Sequence, residues 1–307
     1  MARLTPGQTL QWDNCDFVFN PTHEGEADFW IVFASARPLE RCRVAPHNTL
    51  FIAGEPPAKK IYPQGFYRQF AHLVDTHNAP RHASLHLDAL GLPWSVGLDT
   101  RQHRYVYGYD ELKALPPPVK QNRISAVCSN TAQTPGQRQR LAFLAELQRE
   151  LGDHLVHFGR GFTPLDDKME GIKPYRFHLA LENSQSQHYW TEKVTDAYLG
   201  WAFPLYVGCP NLSDYFSSDS FRPLDMSDVP ATVKIIRRLL EQPDNASAIT
   251  ALKTARDQVL DVYNPFARFS HWVNRFYRPG TAQPLLIRDE KAFRFLRGWF
   301  YRLKNRK

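Results

Sequence analysis

The feature that most constrains this chain is a regular alternation of short apolar runs with amphipathic runs after Pro116, Pro117 and Pro118. RISAVCSN (123–130) reads as a strand, and RQRLAFLAELQREL (138–151) carries Leu141, Leu144, Leu147 and Leu151 at helical spacing. HLVHFG (154–159), RFHLALEN (176–183) and PLYVG (204–208) read as further strands, and TEKVTDAYLG (191–200) as a helix that stops at Gly200. Strand and helix in alternation require a parallel sheet covered on both faces, so the fold class is α/β. Two more helices, TVKIIRRLLEQ (232–242) and ASAITALKTARDQVLDVY (246–263), complete that part of the chain.

The first third mixes apolar runs with long loops. ADFWIVFASA (27–36) and NTLFIAGEPP (48–57) read as buried strands, the second ending in a Gly-Glu-Pro-Pro corner. The triple proline is stiff and reads as a linker. The expected division is therefore 1–115 as an N-terminal domain, 116–265 as a second domain and 266–307 as a helical, basic C-terminal tail. A length of 307 residues suffices for two cores.

Composition removes several classes of function. Hydrophobic residues make up 43%, too many for a disordered chain. No run approaches 18 apolar residues, so no spanning helix is expected. MARLTPGQTLQWDNCDF lacks the apolar centre of a secretory signal. Cys15, Cys42, Cys128 and Cys209 are far apart in sequence and suit reduced thiols, which points to a cytoplasmic location. His23, His72, His77, His82 and His86 suit no metal-ligand spacing, and Asp166-Asp167 reads as surface loop.

The net charge of +7 is local. Seven of the 38 Lys and Arg lie in KAFRFLRGWFYRLKNRK (291–307), leaving 31 against 31 Asp and Glu elsewhere. A nucleic-acid footprint should spread over a face, so no nucleic-acid partner is expected. In the tail, Phe293, Leu296, Phe300 and Leu303 share a helical face with Trp299 at its edge. That pattern fits a helix lying peripherally on an anionic membrane surface. It also fits a packed terminal helix with a solvated basic end.

The stretch ENSQSQHYWTEK (182–193) concentrates charged and aromatic residues between a strand and a helix. In a parallel sheet such a corner lies where helix N-termini present free N–H groups to anions. Thr191 can cap the helix. Lys193, in the first turn, opposes the helix dipole and is better explained if an anion docks beside it. Arg138 and Arg140 start the helix after the preceding strand, so two corners each offer a cation. They either hold a diphosphate between them or are solvated helix starts.

Residues 175–221 resemble the signature of glycosyltransferase family 10, the α-1,3/α-1,4-fucosyltransferases, in a bacterial-type form. The resemblance rests on ENS (182–184), Tyr189, TEK (191–193), P-x-Y-x-G-x-P from Pro204 to Pro210 and SF (220–221). FIAGEPP (51–57) and SNTAQTPGQRQRLAF (129–143) resemble it more weakly. The resemblance implies a GT-B fold, two facing Rossmann-like domains with the active site in the cleft between them. It implies Glu55 as the catalytic base on the acceptor hydroxyl, and Arg140 on the donor phosphates. Arg138 shares that assignment, because the loop before it differs in length by about one residue. Asn183, Tyr189, Glu192 and Lys193 would bind the GDP-sugar, Glu192 at the ribose hydroxyls, Lys193 and Tyr189 at the diphosphate.

The activity implied is inverting transfer of L-fucose, or a related sugar, from a GDP-linked donor such as GDP-fucose to a glycan or glycolipid acceptor in surface polysaccharide assembly. Such a transfer needs one base and positive charge on the departing diphosphate. No DxD motif stands out, so no obligatory metal or other cofactor is expected, a divalent ion being at most stimulatory. The alternatives are a member with another nucleotide-sugar donor and a non-catalytic glycan- or nucleotide-binding protein.

Overall fold

The computed structural model describes residues 1–19, 25–243 and 245–294. It divides into two compact units. The large unit comprises Met1–Leu10, Leu92–Gln185 and Trp190–Asn264; the small unit comprises Gln11–Gly91, Ser186–Tyr189 and the described residues from Pro265 onward.

In the small unit, strands β1 (Trp30–Phe33), β2 (Thr49–Ile52), β3 (His72–Asp75) and β4 (Leu85–Leu87) form one sheet in chain order. All pairs are parallel. β2 is buried along its whole length because both its faces are covered, which is why it reads as an unbroken apolar run. On one side Phe51 meets Tyr62, Phe66 and Phe70 at centroid separations of 4.8, 5.0 and 5.3 Å.

In the large unit, β5 (Gln121–Val127), β6 (Leu155–Phe158), β7 (Tyr175–Leu181), β8 (Phe203–Val207) and β9 (Arg222–Pro223) form a wholly parallel sheet in the order β6-β5-β7-β8-β9. Helix α1 (Pro135–Leu151) drives Phe143, Leu144, Leu147 and Leu151 into a core shared with Leu179, Leu181 and Val207. Helix α2 (Glu192–Leu199) is buried from Val194 to Leu199 and packs on β7 and β8. Helices α3 (Val229–Glu241) and α4 (Ala246–Asp261) close the unit, α3 beside α1 and α4 beside α2. The α/β class is thus present twice.

The division of the chain differs from the expected one: Met1–Leu10 belongs to the large unit and Ser186–Tyr189 to the small one, and two longer stretches also change sides. Residues 92–115 group with the large unit, because its buried acids hold their backbone. Asp196 Oδ1 accepts from the N–H groups of Ser95 and Val96 at 2.8 and 3.1 Å, and Trp201 Nε1 donates to the Leu115 carbonyl at 3.1 Å. Asp167, expected at the surface, is buried and accepts from Gly97 N–H at 2.9 Å. Second, the described residues 265–294 are no appendage. Helix α5 (Pro265–Phe276) packs on the small unit, with Phe269 5.7 Å from Phe33 and Phe276 stacked 4.1 Å from His72. Beyond it, Gln283–Ile287 pairs antiparallel with Glu40–Val44.

Among the described residues no helix is long and apolar enough to cross a membrane. Cys128 and Cys209 are buried, and neither they nor Cys15 and Cys42 form a disulfide among the described residues. Phe293 is half-buried, its ring against Gly65. The rest of the amphipathic stripe, Leu296, Trp299, Phe300 and Leu303, lies outside the described residues, as does His23.

Candidate functional site

Two strand ends and two helix starts build the site in the large unit. β5 and β7 run side by side, and their carboxyl ends lead toward α1 and α2. Thr134 caps α1 by accepting from Gln137 N–H, and Thr191 caps α2 by accepting from Lys193 N–H. Gly136, in the first turn of α1, leaves no space for a side chain: a Cβ there would stand 2.3 Å from the Asn183 carbonyl oxygen. That close approach carries Arg140 to Asn183, whose Oδ1 accepts from Arg140 Nη1 at 2.7 Å.

Below Asn183 lies Glu182, fully buried at the end of β7. Its carboxylate accepts from Thr191 N–H at 2.8 Å and from the Thr191 hydroxyl, and Lys193 Nζ stands 3.3 Å away. Lys193 Nζ also donates to Glu192 Oε1 at 3.0 Å. Lys168 continues the chain of charge, 3.8 Å from Glu192 Oε1 and 3.1 Å from Asp196 Oδ2. Neither Glu182 nor Lys168 was singled out from the sequence. Glu182 carried a signal, being an acid directly after the apolar run LAL; Lys168, in a loop, carried none.

Burial opposes charge at every member, and the partners decide the outcome. Burial works against the Glu192 carboxylate, yet Lys193 and Lys168 outweigh it and hold the group at about 2. Burial likewise works against the Lys193 ammonium, yet Glu182 and Glu192 raise its pKa, so it stays charged. Burial pushes the Glu182 and Asp196 carboxyls upward against their lysines. His178, buried beneath, is driven down to about 3 and is neutral. The pairing of Lys193 with two acids supplies a second explanation for a cation at this helix end, beside the docking of an anion.

Arg140, Lys168 and Lys193 line one small cavity of about 20 Å³, with Cys128, His178 and Asp196. Arg140 is buried and its Nε has no partner among the described residues. Buried guanidinium N–H groups are normally satisfied; Arg256 and Arg268 leave Nε open in the same way, and Arg140 differs from them in lining this cavity.

The remaining expected residues lie elsewhere. Arg138 is exposed and turns back to donate to the carbonyls of Ala132 and Gln133 at 3.1 and 3.0 Å. Tyr189 is buried in the Ser186–Tyr189 loop, which groups with the small unit. Glu55 follows β2 in the small unit, and Lys59 Nζ lies 2.6 Å from its Oε1 in a partly exposed pair. The structure thus brings together Arg140, Asn183, Glu192 and Lys193 in one unit, with Glu182 and Lys168 added. Among the described residues no three His, Cys, Asp or Glu side chains gather as a metal site.

A doubly wound α/β unit with cations converging at the carboxyl edge of its sheet belongs to the class of folds that take anionic ligands there. Residues 117–249, less than half of the chain, match the profile described as Glycosyltransferase family 10 (fucosyltransferase) C-term. A fucosyltransferase-like protein of Arabidopsis thaliana is 37% identical over 79 residues, which are 25% of this chain and 15% of that one. The alpha-(1,3)-fucosyltransferase FucT of Helicobacter pylori is 34% identical over 107 residues, 34% of this chain and 21% of its own. The chain therefore matches about a fifth or less of the length of these relatives. A crystal structure of an alpha1,3-fucosyltransferase with GDP aligns at a TM-score of 0.43 and 19% identity, over 80% of this chain and 82% of that one.

Proposed function

We propose that this protein is an inverting glycosyltransferase that moves L-fucose from GDP-fucose to a glycan hydroxyl. The observation that carries the reading is the convergence of Arg140, Lys168 and Lys193 on one cavity inside the stretch that matches the family 10 profile, with Arg140 Nε unpartnered. The cavity admits no more than a water-sized group. A nucleoside diphosphate would therefore lie over its mouth with one phosphate oxygen directed inward.

In this reading Glu192 turns to the ribose hydroxyls and leaves Lys193 one acid fewer, so the ammonium is released toward the diphosphate. As the acceptor oxygen bonds to the anomeric carbon, the bond from that carbon to the diphosphate breaks and GDP departs. Glu55 takes the acceptor proton; Arg140, Lys193 and the α2 N-terminus stabilise the departing charge. The acceptor is a glycan or lipid-linked glycan of surface polysaccharide assembly, and the seven cations of 291–307 suit an anionic lipid surface at the cytoplasmic face.

The test is calorimetry with GDP-fucose, GDP-mannose, UDP-glucose and GDP, with Lys193→Ala as control and a turnover assay on Glu55→Gln. GDP-fucose should bind, the lysine variant should lose that binding, and Glu55→Gln should keep affinity while losing turnover. Failure of every guanine nucleotide to bind sinks the donor site. Full turnover in Glu55→Gln sinks the assignment of the base.

A further inference from the structure

A second cavity, of about 310 Å³, opens in the large unit at the opposite edge of its sheet. Its lining is set by strand beginnings: Lys120 directly precedes β5, Phe177 is the third residue of β7, Phe203 opens β8 and Arg222 opens β9. The phosphate-facing cavity lies beyond strand ends, so the two are separate. Its volume falls at the lower end of small-molecule sites.

Part of the wall is apolar. Trp201 is anchored by its bond to the Leu115 carbonyl and lies under Arg256, whose Cζ is 4.7 Å from the ring centroid. Phe177, Phe203, Ile249 and Leu252 add to this surface, and Pro117 and Pro118 of the triple proline line it too. The charge in the lining is unbalanced. Lys120, Arg176 and Arg222 face one acid, Asp219.

Lys120 is the unusual member. Its Nζ donates to the Lys173 and Gly200 carbonyls at 2.7 and 2.8 Å, and among the described residues no carboxylate pairs with it. The third ammonium proton has no acceptor among the described residues, and Lys120 lines the cavity. A half-buried ammonium without a counter-ion is costly. Burial, with Lys173 nearby, lowers its pKa to about 7.

We propose that this cavity is a binding site for a small amphipathic anion, an apolar body carrying one carboxylate or phosphate head that meets Lys120 while its body lies against Trp201 and Phe177. The inference does not rest on the donor reading. Because the ammonium must be charged to hold the head, and half of it is charged near pH 7, affinity should fall about tenfold from pH 6 to pH 8. Lys173 is the charged neighbour that acts on Lys120, and Arg176, Asp219 and Arg222 share its cavity. His178, already neutral, adds no titration in that window.

The experiment is calorimetry of the full chain with decanoate, decyl phosphate and decan-1-ol at pH 6 and pH 8, with and without GDP. One anion should bind per chain, unaffected by GDP; the stated pH trend is read with decanoate, because decyl phosphate gains its own second charge in that range, and whichever head binds more tightly at pH 6 identifies the source. Decan-1-ol should bind at least tenfold more weakly, without pH dependence. Ile249→Glu places a carboxylate at the exposed rim and should abolish anion binding; Lys120→Met should flatten the pH trend. Equal binding of decanol and decanoate, full binding by Ile249→Glu, or displacement by GDP would overturn the proposal.

Discussion

Arg140 Nη1 donates to Asn183 Oδ1 at 2.7 Å and so ties the start of α1 to the end of β7. The bond aims the guanidinium rather than saturating it, since Nε stays unpartnered. On the proposed donor reading, Asn183→Ala should weaken GDP-fucose binding through misaiming. A hydrogen bond to a charged group contributes about 1.5 kcal/mol or more, so donor KM should rise roughly tenfold while kcat changes less. Asn183 is exposed, and the cost to stability should stay near 0.5 kcal/mol. Steady-state kinetics beside urea unfolding separates the two; equal losses in stability and affinity would refute an aiming role.

Gly136→Ala sets two effects against each other. In an ordinary helix the change stabilises by about 1 kcal/mol. Here the new Cβ would stand 2.3 Å from the Asn183 carbonyl oxygen, backbone that cannot easily retreat, and overpacking of this kind costs about 1–3 kcal/mol. The clash should win. Urea unfolding should show a net loss of about 1 kcal/mol or more, with weakened GDP affinity; a gain in stability would mean that α1 shifts freely.

Glu182 braces the site from below. Glu182→Ala leaves Thr191 N–H without its acceptor and Lys193 with one acid fewer in a buried place. Breaking a buried pair from one side costs about 3–5 kcal/mol. Thermal unfolding should drop by roughly 10 °C for a domain of this size. A drop of only a degree or two would mean that water replaces the carboxylate.

The pH dependence of stability should carry a mark of Glu192. Its folded pKa of about 2 lies below the unfolded value of about 4.3. The stabilisation is present above the unfolded value and is lost as pH falls through the folded one. Glu182 and Asp196 are shifted upward and act in the opposite sense, so the comparison must be with Glu192→Gln. The stability gap between the two proteins should be full at pH 6 and shrink by more than half by pH 2. An unchanged gap would show that Glu192 is not held by its lysines.

The large unit's strands were legible because a parallel sheet covered on both faces writes each strand as an apolar run, as in Tyr175–Leu181. Its cap at Thr191 was legible too. Residues 92–115 were not, because their allegiance rests on backbone N–H groups of Ser95, Val96 and Gly97 reaching Asp196 and Asp167, acids some 70 to 100 positions away. Of the site, the family motif marked Asn183, Glu192 and Lys193, yet the motif treats them as ligand contacts. That Lys193 is paired with Glu182 in a closed network is a property of burial, which no local pattern shows.

The same limit concealed α5, whose apolar residues lie more than 200 positions from most of their partners. Phe266 is fully buried, 5.1 Å from Phe17 and 5.4 Å from Phe19 across near edge-to-face contacts. Had residues 266 onward been a separate tail, Phe266→Ala would cost under about 0.5 kcal/mol, as exposed substitutions do. With the ring inside the small unit's core, truncation removes its transfer energy and leaves a cavity, together about 3–5 kcal/mol. Urea unfolding of Phe266→Ala against Tyr277→Ala decides between them, since Tyr277 lies just past the same helix with 44% of its surface exposed. A large loss for the first and a small one for the second is the expected pair. Similar small losses for both would detach α5 from the core.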